Sequence, residues 1–387
     1  MADKKILFVD DEPDLEVLMK QKFRKQLRDG TFEFFFAQNG LLALEKLQEN
    51  PDIRMVISDI NMPEMDGLTL LKKINEKYPE VIAIIVSAYG DMNNIRAAMN
   101  LGAFDFVTKP INFEDLNITI DKTLHHIQNL INSEKTKVKL EGILHELNVA
   151  AEIQNSILPK IFINDKNIKL HAKMTPAKEV GGDFYDFFWI NGGKLGMVMA
   201  DVSGKGVPAA LFMTVSRTLF RAHAFNRESS QETMTAVNNA LQKDNSNMMF
   251  VTTFYGILDI KTGILQYSNG GHNPPYIIRH DGKVEPIAPI GDPALGVIES
   301  EGYQSKEVTL QPGDLIFLYT DGVPEATNAK EEYYTDQRLV ETLLQYKDLD
   351  PAELINTISS EVSKFAAGFP QSDDITMLAV RFLGKKE

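Results

Sequence analysis

Length, composition and charge limit the classes of protein to which this chain can belong. Its 387 residues are enough for two or three domains, and 43% hydrophobic with 24% charged residues is typical of globular proteins. Because 54 acidic residues outweigh 40 basic ones, the net charge of −14 repels phosphate backbones, and we expect no nucleic-acid partner. The absence of cysteine excludes disulfides, thiolate metal sites and thiol nucleophiles. We find no apolar run long enough to span a bilayer and no signal peptide, so we expect a cytoplasmic protein without a membrane partner.

The first third alternates between short apolar runs and segments of helical periodicity. This alternation predicts an α/β domain built on a doubly wound parallel sheet. Ligands bind such sheets beyond the carboxyl ends of the strands, so the residues that follow each run are candidates for function. The predicted strands are Lys5–Val9, Phe32–Ala37, Met55–Ser58, Ile82–Ser87 and Asp105–Thr108.

Three carboxylates follow two of these strands. Asp10, Asp11 and Asp59 are expected at one rim, where they would repel one another unless a hard cation such as Mg²⁺ lies among them. Beside that cation, Asp59 could attack a phosphoryl group and become an acyl phosphate. Lys109, at the end of the last strand, could neutralise the transferred phosphoryl oxygens.

Four motifs over residues 1–125 resemble the receiver domain of response regulators, which has a flavodoxin-like fold. They are DDE at 10–12, SDINMPEMDG at 58–67, SAYG at 87–90 and FVTKP at 106–110. The resemblance implies that Asp59 is the phospho-acceptor and that a cognate histidine kinase is a partner. It also implies that Asp10, Asp11, Asp59 and the Asn61 carbonyl hold Mg²⁺, and that Ser87 with Phe106 forms the switch pair.

A long helix is predicted between the two halves, at residues 114–158. Apolar residues fall at steps of three and four, and a charged patch at 133–139 interrupts them. Such a seam is typical of a coiled coil, so one interpretation is a homodimer formed through this linker. The alternative is a helix that packs on its own domain.

Beyond Pro159 the pattern changes to alternating strands and a few helices, which favours a packed α/β sandwich over residues 159–387. Helices are predicted near Ala209–Phe225, Ser229–Gln242 and Pro351–Phe365. Acidic residues beside glycines recur at strand ends, and such a series predicts a cradle for two divalent cations that hydrolyse a phosphate ester. These acidic residues are Asp183, Asp201, Asp321, Asp373 and Asp374.

The same half resembles the PPM-type serine/threonine phosphatases, in the branch of stage II sporulation protein E and the phosphatases of anti-sigma-factor antagonists. The motifs are EIQNSILP, EVGGDFYDFF, ADVSGKGVPAALFM, GGHNPP, YTDGVPEA and SDDITM. The resemblance implies that Asp183, Asp201, Asp321 and Asp373 are Mn²⁺ or Mg²⁺ ligands, with the Val202 carbonyl completing a bridging site. Asp374 is a neighbouring or alternative ligand, and the sequence does not rank it against Asp373.

Together these features predict a response regulator whose phosphorylation controls a metal-dependent protein phosphatase. The substrate expected from the resemblance is a phosphorylated anti-sigma-factor antagonist. Lys178 occupies the place of a phosphate-binding arginine in eukaryotic relatives, and His272 is a candidate general acid, although a histidine between glycines and prolines is more often a turn residue. The alternative function is a catalytically silent adaptor that uses the phosphatase fold for phosphorylation-gated binding.

Overall fold

The computed structural model describes residues 4–190, 193–243, 245–299 and 302–384. Contacts within the chain divide it into two units, Met1–Gly142 and Ile143–Glu387. Within the described residues, no helix is both long and apolar enough to cross a membrane.

The first unit contains the predicted parallel sheet, with strand order β2-β1-β3-β4-β5. Its strands are apolar along most of their length because helices cover both faces of the sheet. The strands are β1 (Lys5–Val9), β2 (Glu33–Ala37), β3 (Met55–Asp59), β4 (Ile82–Ala88) and β5 (Asp105–Lys109). The helices are α1 (Asp14–Lys22), α2 (Arg24–Arg28), α3 (Gly40–Glu49), α4 (Gly67–Lys77) and α5 (Met92–Asn100).

Two helices of this unit begin at side-chain caps. The side chain of Asn39 accepts a hydrogen bond from the backbone N–H of Leu42 at 2.9 Å and begins α3. Asp66 accepts one from Thr69 N–H at 2.7 Å and begins α4. These caps fix the loops that carry the carboxyl ends of β2 and β3.

A single 45-residue helix, α6 (Phe113–Ile157), follows β5. Its first turns pack against the parallel sheet, where Leu116, Ile120 and Ile127 are buried in the same apolar cluster as β1 and β3. Further along, Leu130, Leu140 and other apolar side chains are exposed. The predicted helix therefore exists, and the charged patch at 133–139 does not interrupt its backbone.

The second unit is the predicted sandwich of two antiparallel sheets. One sheet has the order β13-β10-β9-β8-β7, and the other has the order β12-β11-β14-β15-β6. The first consists of β7 (Phe184–Ile190), β8 (Lys194–Val202), β9 (Val251–Asp259), β10 (Ile264–Gly270) and β13 (Lys306–Thr309). The second consists of β6 (Ile168–Thr175), β11 (Tyr276–Ile278), β12 (Val284–Pro286), β14 (Leu315–Tyr319) and β15 (Ile375–Phe382).

Alternate residues of the two sheets form the core between them, as expected for sheet-on-sheet packing. Helices α7 (Val207–Ala224) and α8 (Ser230–Lys243) cover the first sheet, and α9 (Thr335–Gln345) and α10 (Pro351–Ala366) cover the second. Three of these four helices match predicted segments to within two residues, whereas α9 was not predicted.

Candidate functional sites

The first candidate site lies at the carboxyl ends of β1 and β3. Asp10 and Asp59 are buried and Asp11 is exposed, and carboxylate oxygens of all three lie within 4.8 Å of one another. This is the oxygen-rich donor set that Mg²⁺ prefers, so the residues present fit such an ion. Asn61 is exposed two residues after Asp59, and its N–H donates to Asp59 Oδ1 at 3.4 Å.

Lys109 neutralises part of this negative charge. Its Nζ lies 2.6 Å from Asp59 Oδ2, 3.0 Å from Asp10 Oδ2 and 3.2 Å from Glu12 Oε1. Partial burial lowers the pKa of Lys109, but hydrogen bonds to Asp59 and Asp10 outweigh it and raise the pKa above its usual range. Lys109 is therefore held as a cation beside Asp59.

The two expected switch residues lie on adjacent strands. Ser87 is fully buried near the end of β4, and its Oγ has no hydrogen-bond partner among the described residues. A buried hydroxyl without a partner is costly, so Ser87 is ready to donate to a new acceptor. Phe106, on β5, is 38% exposed.

The second candidate site forms where four strand ends meet in the sandwich. Asp183 precedes β7 and Asp201 lies near the end of β8, and these ends adjoin because Phe184 pairs with Ala200. Asp321 follows β14 and Asp373 precedes β15, which are likewise antiparallel neighbours. The sandwich thus brings together four carboxylates that span 190 residues of sequence.

Mutual repulsion among these carboxylates appears in their pKa values. Burial, and then repulsion from Asp201 and Asp374, raises the pKa of Asp183 well above its usual value. Burial, and then Asp321 and Asp373, raises the pKa of Asp201 to about 7. Burial also raises the pKa of Asp321. Buried and half-buried acids that repel one another in this way fit divalent cations, which would allow them to ionise.

Backbone geometry leaves room around these acids. A Cβ on Gly182 would lie 3.0 Å from the carbonyl oxygen of Val202, so a larger residue would crowd the carbonyl that the family resemblance implies for the bridging site. Within the described residues, no three carboxylates of this site lie as close together as Asp10, Asp11 and Asp59 do in the first site. The acids are therefore spread more widely here.

Asp373 and Asp374 have different surroundings. Asp374 is buried, and its oxygens accept backbone N–H donors from Ala177 at 2.7 Å, Gly182 at 2.6 Å and Asp183 at 3.3 Å. Asp373 is partly exposed, and its Oδ2 lies 2.8 Å from Lys205 Nζ. The carboxylate of Asp374 is thus occupied by the loop that carries Asp183, whereas Asp373 faces the other acids and a single lysine.

Two residues that were not predicted position the same loop. Gln154, buried in the last turn of α6, donates from Nε2 to the carbonyl oxygen of Gly181 at 2.6 Å and accepts from Gly181 N–H at 3.0 Å. Thr320 Oγ1 donates to Asp183 Oδ2 at 2.7 Å. The EIQNSILP motif marked the region of Gln154 and the EVGGDFYDFF motif marked that of Gly181, but nothing in the sequence indicated that the two residues pair across 27 positions.

His272 is buried in a network that does not suit a general acid. Its Nε2 lies 3.1 Å from the carbonyl oxygen of Tyr319, so Nε2 carries the proton, and Nδ1 accepts from Thr252 Oγ1 at 2.9 Å. Burial lowers the pKa of His272 to about 4, which keeps the ring neutral. Lys178 is exposed in the loop between β6 and β7.

Two known families match different parts of the chain. Residues 6–121 match the response regulator receiver domain, and residues 191–383 match stage II sporulation protein E (SpoIIE). The chain belongs to the response regulators, with an N-terminal receiver domain joined to a phosphatase domain of the SpoIIE, or PP2C, type. This is the PPM-type fold that was expected from the sequence.

Individual relatives match this chain over about three fifths of its length. Protein IcfG of Synechocystis sp. is 31% identical to this chain over 61% of the chain's length, and the matched region covers 41% of IcfG. Phosphoserine phosphatase RsbU of Bacillus subtilis is 26% identical over 62% of this chain and 71% of RsbU. The SiaA-PP2C domain of Pseudomonas aeruginosa has the same fold, with a TM-score of 0.56 and 22% identity over 63% of this chain and 98% of that domain.

Proposed function

We propose that phosphorylation of Asp59 controls a metal-dependent phosphatase that hydrolyses phosphoserine or phosphothreonine on a partner protein. The observation that carries this proposal is the convergence of one buried and three half-buried carboxylates at four strand ends of a PP2C-type sandwich, where burial and repulsion raise the pKa of Asp183, Asp201 and Asp321. A protein that used this fold only for binding would gain nothing from such an arrangement, because burying like charges is destabilising.

In the phosphatase domain, Asp183, Asp201, Asp321, Asp373 and the Val202 carbonyl would hold two Mn²⁺ or Mg²⁺ ions. When bound, such ions supply Lewis-acid activation of water and neutralise phosphate charge. Asp374 keeps its structural role and fixes the loop that carries Asp183. Thr320 orients the Asp183 carboxylate through its hydroxyl.

Lys205, rather than Lys178, is the cation that we assign to the substrate phosphate. Its Nζ lies beside Asp373 and also donates to the carbonyl oxygen of Ser372, so it is positioned at the edge of the acidic site. An ammonium group there attracts a phosphate dianion and offsets the repulsion from the carboxylates.

In the receiver domain, Asp10, Asp11, Asp59 and the Asn61 carbonyl would hold Mg²⁺. The Asp59 carboxylate attacks the phosphorus of phosphohistidine on a cognate kinase, so that a new O–P bond forms as the N–P bond breaks. Lys109 neutralises the negative charge of the transferred phosphoryl oxygens. The Ser87 hydroxyl, which has no hydrogen-bond partner among the described residues, then donates to one of these oxygens. Phe106 then turns inward as Ser87 moves.

The chemistry of the relatives guides the choice of substrate. RsbU is described as a phosphoserine phosphatase, which supports a phosphoserine protein, and we propose an anti-sigma-factor antagonist. The exposed apolar residues in the second half of α6, such as Leu140 and Leu144, support a homodimer formed through this helix.

The test is hydrolysis of a serine-phosphorylated anti-sigma-factor antagonist with Mn²⁺, with and without acetyl phosphate as donor, alongside Asp201→Ala. We expect activity that rises with the donor and disappears in the variant. If no condition gives hydrolysis while binding of the antagonist still depends on the donor, the protein is an adaptor and the proposed function is wrong.

A further inference from the structure

A cleft of about 270 Å³ opens directly beside the phosphatase carboxylates. Its walls come from the end of β6, the turn after β14, one face of α10 and the segment that leads into β15. Two of its lining residues adjoin proposed metal ligands, since Gly322 follows Asp321 and Ser372 precedes Asp373. Consecutive Cα atoms lie 3.8 Å apart, so the cleft begins within one residue of the metal site.

The cleft differs in charge from the metal site. Within the described residues, Lys173 is the one charged side chain that lines it. The ammonium nitrogen of Lys173 donates to the neutral hydroxyl of Ser359 at 2.9 Å, a contact that leaves its positive charge uncompensated. The other walls combine hydroxyls with apolar groups such as Val362 and Phe369, whose ring is 40% exposed. Its volume approaches the lower end of the range for ligand sites.

We propose that this cleft binds the segment of the phosphoprotein substrate next to the phosphorylated residue, and that Lys173 selects an acidic side chain in that segment. The proposal rests on the proposed phosphatase function. A substrate whose phosphate lies among Asp201, Asp321 and Asp373 must direct its chain outward, and two residues that line the cleft, Gly322 and Ser372, are the chain neighbours of Asp321 and Asp373. The Lys173 ammonium complements a carboxylate, and the apolar wall accommodates the stem of that residue or its neighbour.

The experiment uses the full chain and two synthetic phosphoserine peptides, one flanked by glutamate and one by lysine. The value of kcat/KM for each peptide is divided by that for p-nitrophenyl phosphate, which has no flanking chain. We expect wild-type protein to favour the glutamate peptide and Lys173→Glu to lower that preference about three- to tenfold, through the loss of one partly exposed ion pair and added repulsion. Lys364→Glu, the same charge change on α10 outside the cleft, should retain the wild-type ratio.

Ser363→Trp provides a second variant, because it narrows the cleft and leaves Lys173 intact. It should raise KM for the glutamate peptide relative to wild type. Fluorescence anisotropy of the labelled glutamate peptide measures binding separately from hydrolysis. If p-nitrophenyl phosphate is not hydrolysed, the proposed function fails, and the anisotropy still decides the proposal for the cleft. Unchanged peptide preference and binding in both variants would overturn the proposal.

Discussion

Replacing Gln154 with alanine should loosen the loop that carries Asp183. The side-chain amide of Gln154 makes two hydrogen bonds with Gly181. In the variant, the backbone N–H and the carbonyl oxygen of Gly181 would both lose this partner. Each orphaned backbone group costs about 1–3 kcal/mol, and entry of water into the new space should reduce the total to about 2–4 kcal/mol. Since about 1.4 kcal/mol corresponds to a factor of ten, a loss of about 1.4–2.8 kcal/mol of this total from metal binding would weaken the affinity at Asp183 about 10–100-fold.

The assay is hydrolysis of p-nitrophenyl phosphate over a range of Mn²⁺ concentrations. Loss of a residue that supports a metal ligand typically weakens metal binding by about 10–100-fold, so we expect a rise of that size in the Mn²⁺ concentration for half-maximal activity. Asn155→Ala changes the exposed neighbour on the same helical turn and should behave like wild type. If Gln154→Ala has the Mn²⁺ dependence of Asn155→Ala, the loop does not depend on this contact and our reasoning is wrong.

Three further predictions concern the receiver, the acidic cluster and the buried histidine. Asp59→Ala should abolish the response of phosphatase activity to acetyl phosphate while activity with Mn²⁺ remains measurable, and a retained response would exclude Asp59 as the acceptor. Because the folded-state pKa of Asp201 is raised to about 7, folded metal-free protein binds more protons than unfolded protein between about pH 4 and 7. The stability of the metal-free protein should therefore fall as pH rises through this window. Asp201→Asn should make the melting temperature less dependent on pH, and an unchanged dependence would contradict a raised pKa at Asp201. His272→Ala should lower the free energy of unfolding by about 1–3 kcal/mol in denaturant titrations and leave the acid limb of the pH–rate profile unchanged; loss of that limb would indicate a catalytic histidine.

The parallel sheet and the sandwich were predictable because their strands carry strong local signals. Strands such as β1 and β3 are mostly apolar and lead directly to the acidic residues Asp10 and Asp59. The observed strand ends differ from the predicted ones by no more than one residue. Helix α9 was missed because it lies in a long polar stretch after Asp321 and has few buried residues, among them Leu339 and Leu343.

The linker shows a different limit of sequence reasoning. Apolar residues at three- and four-residue steps fit a helix that packs on its own sheet as well as they fit a coiled coil. In the first turns of α6 the former holds, since Ile120 and Ile127 lie in the core of the first unit. The charged patch at 133–139 separates these buried positions from the exposed Leu140 and Leu144, but no feature of the sequence indicates which of the two sets packs on the sheet.

In the sites, residue types were predictable and supporting contacts were not. Asp183 and Asp201 stood out because acids beside glycines recur at strand ends. The sequence could not rank Asp373 against Asp374, because the backbone donors that occupy Asp374 lie more than 190 residues away. Such pairings depend on which strands become neighbours, and no short motif encodes that.

The contact between Asp374 and the loop at Gly182 also determines when the enzyme can first exist during synthesis. The two residues are 192 positions apart, and β15, which follows Asp374, pairs with β6 along its whole length. A ribosome must therefore release nearly the entire second unit before Asp374 can fix the loop that carries Asp183. The receiver sheet, complete by Lys109, emerges far earlier, so each nascent chain contains a potential phosphate acceptor well before it contains a phosphatase.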